Sequence, residues 1–576
     1  MKKVKELHIH VFAFIVITLL CCLQIRALDY VYILDDEFGY WAHAISAMGY
    51  DWKDLIAETP YYSWGYSIWL IPIVALLPTP ELWYKAAIFL NVFFLLLSYI
   101  FCYKSGRKLF PEVNEKAMAL TSLIVIIYPS NIAYAQIAWS ESLSYLLVWI
   151  STYLVLKLDE NFSNSCYIAL LGTLLYSYAV HNRNIGVVLA GIITIILLLI
   201  KHKGKIWYYI MLPVALIGGY QGIDLVKAHQ ISSLWSNSKA SSINNVGVNT
   251  ATIVSYTSRI INGISSLFTS MVGKYLYILI GFELTFPIVI IRFVKDILSN
   301  IKEKCFFKNY FCSKLWVLMA SIFMFGLCAL QANSWSGRKD FIVYGRYMEN
   351  SFGPLLLLAI CGTILYINSV KTALFISLTS ILIGIFPVFY YMDNANGKFN
   401  SICSPIIGVF YKLAGDTPKT FILLGLFLSF ALVLIYIATS LKTQCLRIML
   451  IVFCFGLTYS SMGVLLGKQF ADRRLVYDSM RVSLREKISG DLAEQELYYV
   501  KDQASDSSCT KPKYLQYAIP DRTIHVILPE EISNYLEQDV ILMTDPNDET
   551  SRTFLEDHDA QLIDSNYLLA VYSINK

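Results

Sequence analysis

Apolar runs of near-uniform length alternate with short polar stretches from the N-terminus to about position 467. A run of ~20 apolar residues, coiled as a helix, matches the hydrocarbon thickness of a bilayer. The pattern predicts spans at 10–27, 81–103, 117–136, 139–157, 166–181, 185–201, 206–223, 270–292, 315–332, 352–368, 371–391, 419–439 and 446–466. One further run, Trp64 to Leu77, is short and contains Pro72. Beyond Leu466 the period changes. An amphipathic helix is expected from Asp472 to Glu496, then strands at Leu497–Val500, Thr523–Leu528, Val540–Met543 and Tyr567–Tyr572. A polar helix, Glu549 to His558, falls between the last two strands. The expected fold class is mainly α: a polytopic transmembrane helical domain over 1–467, followed by a small α/β domain over 468–576.

Basic residues set the threading. Lys2, Lys3 and Lys5 place the N-terminus in the cytoplasm by the positive-inside rule. The N-terminal stretch resembles a signal peptide, but no small-residue cleavage site follows, so it reads as a retained first helix. The cluster Lys104, Arg107 and Lys108 belongs inside, which requires the 64–77 run to lie in the interface rather than cross. The clusters at 201–205, 292–314 and 442–447 then fall inside as well. This gives about thirteen spans, N-in and C-out. The loop over 28–80 becomes external, with interfacial helices, and the tail becomes extracytoplasmic.

Composition agrees with a chain that has lipid as its solvent. Of 576 residues, 56% are apolar and 15% charged, with a mean hydropathy of +0.54; soluble domains carry about 25% charge. A net charge of +4 divides into a basic membrane part and an acidic tail, neither of which resembles a nucleic-acid binder. The cytoplasmic loops hold no Gly-rich phosphate cradle, which excludes P-loop nucleotide chemistry. The 12 cysteines are scattered and read as structural thiols.

The candidate chemistry therefore lies on the external face. Asp35, Asp36 and Glu37 follow the first span directly. Three adjacent carboxylates repel, and burial raises their pKa; such groups suit a general base or, alternatively, a divalent metal. Arg183, Arg338, Lys339 and Arg346 sit on the side where basic residues are disfavoured. Ordinary salt bridges, for instance to Asp340 or Glu349, are one reading of them; a phosphate clamp is the other. Glu141 opens a helix, where the dipole favours an acid in any case. His181 ends one, a position that is structural or that of a second base.

The segment LDDEFGYWAHAISAMGYDWKDLIAETPYY sharpens this picture. Asp36-Glu37, Tyr40, Ala44, Met48, Asp51-Trp52 and Thr59-Pro60-Tyr61-Tyr62 resemble the first external loop of the GT-C glycosyltransferases, particularly the branch with aminoarabinose transferases and protein O-mannosyltransferases. Tyr61 stands where that branch usually has a second proline. Arg346-Tyr347, late in the chain, resembles the same superfamily. The resemblance implies about thirteen spans, an amphipathic loop lying on the membrane and an outward-facing site. It implies a polyprenyl-phosphate-linked sugar as donor and a lipid, glycan or protein as acceptor. Asp36 is then the expected base, with Asp35 or Glu37 orienting the acceptor or holding a divalent metal. Arg346 and Tyr347, with Arg183 or Arg338, face the donor phosphate, and Tyr40, Glu141, His181 and Lys274 line the rest of the pocket. The expected location is a bacterial cytoplasmic membrane. A transporter or flippase of lipid-linked sugars, which would place charges near mid-helix, and a non-catalytic envelope scaffold are the alternatives.

Overall fold

The computed structural model describes residues 2–31, 34–235, 263–303, 307–331, 338–366, 370–394, 399–441, 443–490, 494–502, 506 and 508–574. The chain begins with α1 (Lys2–Cys22), and the loop after it folds into α2 (Leu34–Ala47), α3 (Lys53–Ala57) and α4 (Trp64–Leu76). A bundle follows, made of α5 (Pro80–Leu109), α6 (Glu115–Ile126), α7 (Pro129–Tyr134), α8 (Glu141–Glu160), α9 (Asn164–Val180), α10 (Ile185–Lys201) and α11 (Ile206–Leu234). The second half holds α12 (Ile264–Gly281), α13 (Phe286–Lys302), α14 (Phe311–Gln331), the single turn α15 (Arg346–Glu349) and α16 (Phe352–Tyr366). It continues with α17 (Val370–Asn394), α18 (Pro405–Ala414), α19 (Thr417–Ser440) and α20 (Gln444–Ser489).

Among the described residues, nine helices are long and apolar enough to cross a membrane, or ten if one pair bent by 85° is a single span. Such helices satisfy every backbone group internally, so they can present apolar side chains outward. Ile422, Leu426, Phe430, Val433 and Ile437 do so along one face of α19.

Several expected boundaries move, each for a local reason. The run at 117–136 forms two helices, α6 and α7, because Pro129 disfavours helical geometry in the residue before it. Nearly all of this segment is buried within the protein. The run at 270–292 also breaks, between Gly281 and Phe286, where Glu283 (φ 45) and Leu284 (φ 64) adopt left-handed backbone. The polar loop expected at 224–269 is helical as far as Leu234, and 236–262 lies outside the described residues. The amphipathic helix expected from Asp472 is the continuation of the last span, in one helix of 46 residues. That helix passes through position 467 without interruption.

The tail forms a five-stranded sheet in the order β2-β1-β3-β5-β4. Its strands are β1 (Glu496–Val500), β2 (Ile524–Ile527), β3 (Val540–Thr544), β4 (Gln561–Ser565) and β5 (Ala570–Ile574), with α21 (Thr510–Ala518) and α22 (Glu549–Asp557) between them. β1 pairs in parallel with β2 and β3, while β5 runs antiparallel to β3 and β4. All five residues of the central β3 are buried, as for a strand covered on both faces. The strand expected at Tyr567–Tyr572 begins three residues later, at Ala570; β4 and α21 carried no signal strong enough to be expected.

The first loop is packed rather than draped. α4 lies against the end of α9 because Gly65 has no side chain; a Cβ there would meet the Ala179 and Val180 backbone at 2.6–2.7 Å. Trp235, at the end of α11, donates to the Thr59 carbonyl at 2.9 Å. His43 is buried on α2, its Nε2 2.7 Å from the Tyr62 carbonyl and its ring beside Trp235 and Tyr61. Burial lowers the His43 pKa from 6.5 to about 4. The unfolded chain therefore takes up this proton first as pH falls. The stability that His43 contributes is present above about pH 6.5 and is lost as pH falls toward 4, by up to about 3 kcal/mol. The thermal midpoint of His43→Gln should accordingly fall less than that of the wild type between pH 6.5 and 4. Identical pH slopes would show that His43 is not buried as a neutral ring.

Candidate active site

The first turn of α2 carries Asp35, Asp36 and Glu37, where the positive end of the helix dipole favours acids. Consecutive helical residues project about 100° apart, and the three carboxylates accordingly reach three different partners. Asp36 meets Arg346, Oδ2 to Nη1 at 2.6 Å, and accepts from the Tyr62 hydroxyl. Glu37 turns inward and accepts from the Tyr84 hydroxyl at 2.5 Å and the Ala138 amide at 2.7 Å. Asp35, with its side chain 42% exposed, pairs with Lys513 of the tail at 3.0 Å. Among the described residues no three or more His, Cys, Asp or Glu side chains converge as a metal-binding group.

Asp36 is one end of a buried chain of charge. Arg346 Nε donates to Glu141 Oε1 at 2.6 Å, and Arg183 Nη2 donates to the same oxygen at 2.9 Å. These groups come from four separate segments: α2, the first turn of α8, the turn after α9, and α15. Two carboxylates and two guanidiniums balance in formal charge. Aromatic faces support them, with Trp139 3.8 Å from the Arg346 guanidinium and Tyr347 4.9 Å from that of Arg183. Tyr40 makes a 2.6 Å contact to the hydroxyl of Ser140, the residue before Glu141. Burial and the adjacent Asp36 raise the Tyr62 pKa well above the usual phenol range, so Tyr62 stays a donor.

The pairing is incomplete in one direction. Arg183 Nε and Nη1 and Glu141 Oε2 are buried without a hydrogen-bond partner among the described residues. Buried orphan donors are costly and rare. Nη2, the nitrogen shared by both forks of the guanidinium, is taken by Glu141, and the two unmet N–H groups flank it, each free to meet an acceptor oxygen such as that of a phosphate or carboxylate.

The remaining expected residues divide. Arg338 takes the ordinary salt bridge, with Asp340 at 2.5 and 3.2 Å, and also lies 3.1 Å from Cys403 Sγ. Lys274 is buried on α12 and donates to Ser270 Oγ at 2.7 Å and to the Phe341 carbonyl at 2.9 Å. It thereby tethers the turn that precedes Arg346. His181 caps the turn that carries Arg183, accepting from the Arg183 amide at 3.2 Å.

Sequence reasoning missed a supporting layer. Arg474, Arg481 and Arg485 recur at steps of seven and four, one face of α20, and all three approach the first loop or α5. Arg474 donates to the Tyr84 hydroxyl, which in turn holds Glu37, and to the Gln136 carbonyl at 3.2 Å. Arg485 pairs with Glu81 at 2.6 Å. The periodic arginines were visible, but on a stretch that reads as a tail helix. Lys513 had no local signal at all.

The fold has counterparts among solved structures. ArnT from Cupriavidus metallidurans bound to undecaprenyl phosphate is similar at 12% identity and TM-score 0.54, over 98% of each chain. The apo state of the same enzyme is similar at 11% identity and TM-score 0.53, again over 98% of each chain. The archaeal oligosaccharyltransferase AglB from Archaeoglobus fulgidus matches more loosely, at 12% identity and TM-score 0.41, over all of this chain and 75% of its own. No protein-family model and no curated protein sequence matches the chain. The chain thus shares the fold of ArnT, the GT-C-like helical arrangement expected from its sequence, with the small sheet at its C-terminal end.

Removing one member of a buried charge chain strands the others, typically at a cost of about 3–5 kcal/mol. Arg346→Met should lower the thermal midpoint in detergent by several degrees. Because Glu141 loses a partner in the same step, the double variant Arg346→Met/Glu141→Gln should be less destabilised than the sum of the singles. Strict additivity in that cycle would mean the two groups are not coupled.

Proposed function

We propose that this protein is an integral membrane glycosyltransferase that moves a sugar from a polyprenyl-phosphate carrier to an extracytoplasmic acceptor, inverting the anomeric carbon. The observation that carries the reading is the pair of unmet donors on Arg183, held within the same charge chain as Arg346 and Asp36. A similar fold, that of ArnT, has been crystallised with undecaprenyl phosphate, the leaving group such a reaction releases.

In this reading the acceptor is a hydroxyl on a lipid, glycan or protein. Its oxygen forms the new bond to the anomeric carbon while its proton passes to an Asp36 carboxylate oxygen. The bond from that carbon to the phosphate oxygen breaks, and its electron pair leaves with the polyprenyl phosphate. Negative charge grows on the departing phosphate, so donors fixed beforehand by Arg183 and Arg346 stabilise the transition state more than the ground state. Tyr62 positions Asp36 through its hydroxyl, and Trp139 and Tyr347 hold the guanidinium planes. Glu37 acts at one remove, fixing α2 against Ala138 and Tyr84.

Residues 1–467 then form the transferase domain, with the 28–80 loop on the outer membrane surface. The tail, 468–576, is an extracytoplasmic domain that anchors Asp35 through Lys513. The topology is N-in and C-out, about thirteen spans in a bacterial cytoplasmic membrane.

Asp36→Asn should insert and purify as the wild type does but transfer sugar about 10²–10⁴-fold more slowly. The assay is a panel of polyprenyl-phosphate sugars presented in liposomes. Undiminished transfer by that variant would remove Asp36 as the base.

A further inference from the structure

Residues 34–63 carry six acids and one lysine, so this segment does not balance its own charge. The tail supplies much of what is missing. Lys513 meets Asp35 at 3.0 Å, Lys501 meets Glu58 at 2.6 Å, and His525 Nδ1 lies 3.1 Å from Asp54 Oδ2. Each of these contacts sets an acid of the loop against a basic side chain of the tail.

Of the three, the Lys513 contact reaches the turn that carries Asp36. Lys513 Nζ also donates to the Glu58 carbonyl at 3.0 Å, so one ammonium joins the start of α2 to the end of α3. Lys513 and Tyr517 stand one turn apart on α21, and they meet Asp35, Phe38 and Trp41 along one face of α2. Asp36 thus lies between two anchored neighbours. Glu37 is held inside the bundle by Tyr84 and Ala138, and Asp35 is held from the tail. These two contacts fix the rotation of α2. Asp36, about 100° around the helix from each neighbour, then points at Arg346.

The Lys513 pair is a poor source of stability by itself. Lys513 is fully buried, and an apolar side chain of similar volume in place of a buried charge is often neutral or stabilising. Asp35, its side chain 42% exposed, can turn to water without its partner. What the pair adds is a defined position for the first turn of α2. A displacement of about 1 Å at a reacting group can cost ~10²-fold in rate.

We infer that Lys513 is a positioning residue for the transfer: through Asp35 it sets the rotation of α2 and so the aim of the Asp36 carboxylate. The inference rests on the reading of Asp36 as the base. It makes the tail necessary for turnover at full rate, through a contact that lies outside the charge chain.

The test measures turnover of full-length Lys513→Met, Asp35→Asn and the double variant with polyprenyl-phosphate sugars in liposomes. Each rate is divided by the fraction of protein that binds polyprenyl phosphate, which removes misfolded protein from the comparison. In Lys513→Met, kcat should fall roughly 10- to 100-fold. The donor KM should stay within about twofold of the wild type, because Arg183 and Arg346 are untouched. The double variant should be no slower than the slower single, since both changes break the same contact. Wild-type kcat in Lys513→Met would overturn the inference while leaving the transferase reading intact, as would multiplying losses in the double variant. If Lys513→Met does not fold, Asp35→Asn decides alone, and undiminished turnover there overturns the inference. Failure of the wild type to transfer any sugar would instead overturn the transferase reading, and this inference with it.

Discussion

A single carboxylate oxygen, Glu141 Oε1, receives both Arg183 and Arg346, and Arg346 passes on to Asp36. Charges removed from water must be paired and hydrogen-bonded, or the fold does not hold them. Four segments far apart in sequence have to meet for that pairing to exist. This requirement fixes where the first turn of α2 sits, why the chain bends sharply around α15, and why α8 begins where it does. The apolar helices supply the mass of the protein, but their mutual arrangement answers to this chain of charge.

Around it, a second layer ties the loop, the bundle and the tail together. α20 is the common strut. Its apolar first half packs in the bundle, and its second half brings Arg474 and Arg485 against Tyr84 and Glu81. The tail then closes over the loop through Lys513 on Asp35, Lys501 on Glu58 at 2.6 Å, and Trp52 donating to the Pro520 carbonyl at 3.0 Å. Tyr517 sits among the rings of Tyr30, Trp41, Trp52 and Trp83. The tail is thus a structural neighbour of the loop that carries Asp36.

What could be read in the sequence follows from which forces act locally. The runs at 81–103, 185–201 and 419–439 were plain, since lipid demands uninterrupted apolar length and nothing else in the chain imitates it. The break at Glu283 was not, because one carboxylate barely alters the hydropathy of its run; tertiary partners such as Tyr459, bonded to the Gly281 carbonyl, make it possible. Asp36, Arg183 and Arg346 stood out as charges near membrane-length runs, and the structure brings all three together. Arg338 stood out equally, yet it serves the turn beside the site, as does Lys274, expected only as a pocket residue. Charge alone does not reveal its partner, and Lys513 meets Asp35 across 478 positions.

The most direct test of the central claim is whether the arginine pair holds a lipid phosphate. Native mass spectrometry of the full-length protein titrated with polyprenyl phosphate reports that binding without turnover. The account predicts a saturable one-to-one complex for the wild type, weakened roughly 10- to 100-fold in Arg183→Gln/Arg346→Gln, as expected for losing charge-assisted hydrogen bonds. Equal affinity of the wild type and the double variant for polyprenyl phosphate would contradict it.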